Sequence, residues 1–123
     1  MKITFTLLFL LTFQSHASSI HDSFYELDNK FYTLEVITAE CAFGIKQMKS
    51  KPQSEEKCKK LYALKDDEID KLKSSFNREL NRYNYRKDKL SKHDNYWTKQ
   101  YINKIHSRAR NLQKNIKDIY SIK

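Results

Sequence analysis

The 123-residue chain has one glycine and one proline. A single glycine excludes a glycine-rich phosphate loop and a glycine-based dinucleotide fingerprint. One glycine and one proline also speak against a sandwich or barrel of many short strands, which needs a turn residue every few positions. There are only two cysteines, 17 positions apart, and no Cys-x-x-Cys pair. That spacing suits a disulfide better than a zinc or redox site. None of the eight asparagines stands in an Asn-x-Ser/Thr acceptor, which leans toward a bacterial periplasm over a glycosylating secretory route. No nucleophile-elbow serine is present, and no histidine has a helix-spaced partner that would make a metal site. The acids Asp66, Asp67, Glu68 and Asp70 lack the spacing and the glycine of a calcium loop; they are read as surface charge. The chain is therefore expected to be no enzyme and to use no cofactor or metal.

The amino terminus opens on Met1-Lys2 and an uncharged, mostly apolar run, Ile3 to Phe13. Ser15 and Ala17 then offer small residues at the spacing of a signal-peptidase site. The run is well short of the ~20 apolar residues of a membrane span. Residues 1–17 are thus expected to be a cleaved signal peptide, with no lipidation cysteine at the cut and no later transmembrane segment. Residues 18–123 would form one exported domain, periplasmic or extracellular, in which an even cysteine count favours the bridge Cys41–Cys58.

With so few breakers, periodicity decides the fold class. Ile20, Phe24, Leu27, Phe31, Leu34, Thr38, Cys41, Ile45 and Met48 follow alternating steps of four and three, the pattern of a helix packed on another helix. A second helix is expected over about 51–90, opened by Ser50 as cap, Pro52 in the first turn and Gln53 at the capping-box position. Its apolar stripe runs through Cys58, Tyr62, Ile69, Leu72, Phe76, Leu80 and Tyr83. A third helix over about 95–121, capped from Ser91 or Asp94, carries Ile102, Ile105, Ala109, Leu112, Ile116 and Ile119. In an antiparallel pair, facing residue numbers have a constant sum. Cys41 with Cys58 and Leu27 with Leu72 both sum to 99, and Phe24 with Phe76 and Phe31 with Ile69 both sum to 100. One register therefore joins the stripes and the cysteines. The expected fold is all-α, an antiparallel helical hairpin or three-helix bundle with one disulfide, the last helix covering the groove between the first two. Such stripes also suit chain–chain packing, so an oligomer is compatible with them.

The net charge of +9 is unevenly placed. Residues 18–56 hold four lysines against seven acids, and residues 57–123 hold nineteen basic residues against eight acids. Part of this imbalance serves attraction between helices, and the surplus points to an anionic partner. The densest basic face lies late in the second helix: Lys71, Arg78, Arg82, Arg86 and Lys89 share one side, with Tyr85 beside them. Arginine forks suit carboxylate or phosphate. Basic residues among aromatics are also a footprint of nucleic-acid binding, but export and the lack of a zinc-finger or RRM signature set that partner aside. Tyr96, Trp97 and Tyr101 are expected to pack at the end of the bundle. The sequence is read as a small exported binding protein (an inhibitor, an immunity-type protein or an envelope accessory protein) that meets another protein or an anionic envelope component through this basic face. The alternative is a secreted cationic, membrane-active toxin or effector.

Overall fold

The computed structural model describes residues 20–52 and 55–121. The signal peptide expected over residues 1–17 and the capping-box residue Gln53 lie outside them. The fold is all-α, with four helices and no strand among the described residues. α1 spans Ile20–Met48. A 3-10 turn, Glu56–Cys58, runs into the short α2, Lys59–Tyr62. α3 spans Glu68–Arg86 and ends in a second 3-10 turn, Lys87–Lys89. α4 spans Lys92–Tyr120.

The helix expected over 51–90 is therefore broken at Ala63–Asp67. The break explains two features of the local sequence. Glu68 and Asp70 fall in the first turn of α3, where carboxylates meet the positive end of the helix dipole; the acid run marks a helix start, not the middle of a helix. The stripe also slips by one residue: Leu61 is buried whereas Tyr62 is half exposed. Ser50 does not cap a helix. Its hydroxyl donates to the Glu55 carboxylate, and Glu55 in turn accepts from the backbone N–H of Lys57 at 3.4 Å. Of the two cap candidates for the last helix, Ser91 serves: its Oγ accepts from the Asp94 N–H at 3.0 Å.

Direct contacts give the topology. Along α1 and α4, His21 meets Asp94, Asp28 meets Arg108, Thr38 meets Asn115 and Lys46 meets Asp118. Residue numbers rise together, so the two helices run parallel. α3 runs against both: Phe24 packs edge-to-face on Phe76 and Tyr83, and Phe31 packs on Phe76, with centroids 5.8–6.3 Å apart. The path is up, down, up. Sequence periodicity makes α1 and α3 the principal pair, but the most extensive helix–helix contact is between α1 and α4.

The core has two parts. The larger collects Phe24, Phe31, Leu72, Phe76, Ile105 and Leu112 among its buried members. The smaller surrounds the disulfide, where Cys41, Ala42, Ile45, Cys58, Leu61 and Ile119 meet. Cys41 and Cys58 are both fully buried and bonded, with Cα atoms 4.3 Å apart. Gly44 sits in α1 against the incoming segment. A Cβ there would lie 3.0 Å from the Lys57 Cβ and 3.0 Å from the Glu55 Oε1. The chain's one glycine thus lets the 55–57 strap lie directly on α1, one turn beyond the bridge.

Candidate functional site

α3 is fixed in the core through Leu72, Phe76 and Tyr83, which are buried on the side turned away from Tyr85. Tyr83 is anchored twice, by ring contact with Phe24 and by its hydroxyl, which donates to the Asn95 side chain. Burial pushes its phenol above the ordinary value of 10. With this anchorage, the six residues named from the sequence, Lys71 to Lys89, are all exposed.

They are not equivalent. Lys71 is tied to Asp67 at 3.1 Å, one turn back. Arg78 donates to the Ser75 hydroxyl at 3.3 Å and borders a groove shared with Ser23, Glu26 and Lys30 of α1. Arg82 donates to Glu79 at 3.1 Å. The two ion pairs contribute about 1 kcal/mol at most each but neutralise Lys71 and Arg82; the Ser75 hydroxyl engages Arg78 without neutralising it. At the carboxyl end of α3 the situation differs. Among the described residues Arg86 and Lys89 make no ion pair. Just before them Tyr85 is 86% exposed, a large ring left in water directly beside Arg86 in sequence. The face read from the sequence therefore narrows to a tip: Tyr85, Arg86 and Lys89, with Arg82 behind.

Beside this face lies a groove of about 390 Å³ between α1 and α3. Leu34, Leu64 and Leu72 form its floor, and Lys30, Lys71 and Glu68 are among the residues at its rim. No chemistry-bearing group converges in it. Among the described residues there is no group of three or more His, Cys, Asp or Glu placed to hold a metal.

Sequence reasoning missed the main polar feature, a seam across α1 and α4. Arg108 Nε donates to Asp28 Oδ1 at 2.7 Å and its Nη1 to Glu35 Oε1 at 3.3 Å, while the guanidinium lies 4.7 Å from the centre of the Tyr32 ring. The hydrogen bond that Arg108 donates to Asp28 leads the effects that raise the Arg108 pKa, against the opposing effect of burial. Asn111 donates to the other Glu35 oxygen at 2.9 Å. Asn115 donates to the Thr38 hydroxyl at 3.1 Å, and that hydroxyl donates to the Leu34 carbonyl at 2.8 Å. This is how Thr38, the one polar member of the first stripe, is buried without an unpaired group. The signal was present as Asp28, Glu35, Arg108, Asn111 and Asn115 at helical spacing, but matching them needs the parallel register of α1 and α4. The seam orders the bundle and presents nothing reactive to solvent.

Of the aromatic residues at the start of α4, Tyr101 packs partly buried against the core as expected, while Tyr96 and Trp97 depart from expectation. Tyr96 and Trp97 are 56% and 41% exposed, so they form surface and not the end of the core. Tyr96 contacts Trp97 at 5.4 Å, Trp97 contacts Tyr101 at 6.4 Å, and Tyr101 contacts Tyr25 of α1 at 5.7 Å between ring centres. In comparisons with known proteins, no family model, no curated protein and no solved structure matches this chain.

Proposed function

We propose that the protein is a small exported, non-enzymatic binding protein, of an inhibitor, immunity-type or accessory kind, that engages an anionic macromolecular partner through the carboxyl end of α3. The observation that carries this reading is Tyr85, held out in water next to Arg86 and close to Lys89, on a helix whose opposite side is fixed in the core. An exposed aromatic ring with adjacent arginine is the residue mix that dominates binding energy at protein interfaces. Arg86 has its guanidinium fork uncommitted among the described residues, ready for a carboxylate or phosphate pair. Export is supported by the bonded cysteine pair, which suits an oxidising compartment, and by the amino-terminal pattern. No described helix is long and apolar enough to cross a membrane.

A photo-crosslinker in place of Tyr85, introduced in an exporting host, tests this reading. The expected result is a discrete adduct that disappears in an Arg82→Glu/Arg86→Glu background. No adduct, together with normal behaviour of the charge-reversed protein in its compartment, would remove the proposal.

A further inference from the structure

A second charged surface lies on α4, independent of the α3 tip. Lys92, Lys99, Arg110, Lys114 and Lys117 follow steps of 7, 11, 4 and 3. Those steps are close to whole numbers of helical turns, so the five share one face. All five are exposed. Among the described residues none makes an ion pair. The two acids of α4 are both turned toward α1, with Asp94 at 3.4 Å from His21 and Asp118 at 3.4 Å from Lys46. The result is a straight ridge of a single sign, ~37 Å long from its first to its last cation. Tyr96 stands within it near the amino-terminal end.

We infer that this ridge docks the folded bundle, lying flat, on an anionic lipid bilayer. Three observations select a bilayer over an acidic protein. Four of the five cations are lysines, point charges on flexible stems that need no fixed geometry in their counterion. Protein interfaces favour arginine and deplete lysine, the reverse of this ridge. The aromatic residue within it is Tyr96, 56% exposed, and a tyrosine ring sits with one end apolar and one end wet, as the headgroup region requires. The contact is an adsorption of the intact fold, because the apolar sides of the helices face the core and no described helix can span. This role does not depend on the α3 tip and leaves that surface free.

The test uses the disulfide-bonded protein recovered from an exporting host, with sedimentation on phosphatidylglycerol–phosphatidylcholine vesicles and on phosphatidylcholine alone. Binding is expected only to the anionic vesicles, with loss as salt rises. Tyr96→Trp/Trp97→Phe moves the sole tryptophan into the ridge, where its emission reports the site and is expected to shift to the blue on binding. Lys99→Glu/Arg110→Glu/Lys114→Glu should weaken partitioning by at least roughly 100-fold, from about five-fold per charge. The swap Lys99→Arg/Arg110→Lys/Lys114→Arg should keep it, and Arg82→Glu/Arg86→Glu on α3 should change it far less than the α4 triple does. A melting curve on each variant establishes that it is folded. The proposal is overturned if the protein ignores anionic vesicles at low salt, if the α4 triple binds as well as the parent, or if binding leaves the emission of the Tyr96→Trp/Trp97→Phe variant unmoved. Retention on an acidic polypeptide with no vesicle binding would assign the ridge to a protein partner instead.

Discussion

At the scale of single residues, the chain places its scarce glycine where contact requires it and not where the backbone turns. Lys49, directly after α1, adopts φ 50°, the left-handed conformation that helices commonly use to end and that glycine fills without a Cβ penalty. The glycine is instead at Gly44, under the Glu55–Lys57 strap. Lys49→Gly is therefore expected to stabilise the fold by about 1 kcal/mol, read as a rise in the denaturation midpoint at constant m-value. An unchanged or lower midpoint would show that Lys49 is not confined to that conformation. The position of Gly44 can be read from the sequence, three residues after Cys41 and four before Met48 closes the first apolar stripe. The role of Lys49 cannot, because nothing in a lysine side chain announces a left-handed backbone.

At the scale of elements, α1 and α4 are joined by a polar seam as well as by apolar packing. Asp28 is 6% exposed, and Arg108 is its charge partner. Removing Arg108 leaves a buried carboxylate uncompensated, which typically costs about 3–5 kcal/mol. Arg108→Leu should thus lower stability by about 3 kcal/mol or more. Asp28→Asn with Arg108→Leu should recover part of it, because the residual group is then neutral. Equal stability of the single and double variants by chemical denaturation would contradict this account. Helix class and apolar faces were readable here because the 4-3 rhythm of Phe24, Phe31, Ile105 and Leu112 does not depend on knowing the neighbours. The break between α2 and α3 was hidden because Tyr62 and Leu64 extend the apolar rhythm through it. The acid run Asp66–Asp70 held the contrary signal. The α1–α4 pairing was out of reach, since a constant sum identifies antiparallel partners and these two are parallel. The charged face of α3 was legible as spacing, but which of its cations are engaged locally depends on rotamers that spacing does not carry. For that reason Lys71, Arg78 and Arg82 recede and Tyr85, Arg86 and Lys89 remain.

At the scale of the whole molecule, one bond ties the closed end of the bundle. Cys41–Cys58 joins α1 to the strap, and Ile119 of α4 packs into the same cluster, so the bridge organises contributions from both ends of the fold. Closing a loop of 17 residues' separation contributes roughly 3 kcal/mol in the loop-entropy model. Cys41→Ser/Cys58→Ser is expected to lower the melting temperature by roughly 10–20 °C; a shift of a degree or two would mean that the apolar cluster holds the strap unaided. The parallel arrangement of α1 and α4 also bears on the time course of folding. Their contacts join residues far apart in sequence, such as Asp28 with Arg108, so the largest interface waits until the chain has reversed direction twice. Non-local pairing of this kind slows folding. Until α4 docks, the apolar side of α1 has only α3 and the strap to cover it, so a chain cut before Lys92 is expected to expose a hydrophobic stripe. Oxidation of the two cysteines needs only the first half of the sequence. The bridge can therefore form before the longest helix pair exists and hold the first hairpin in register while the last helix docks.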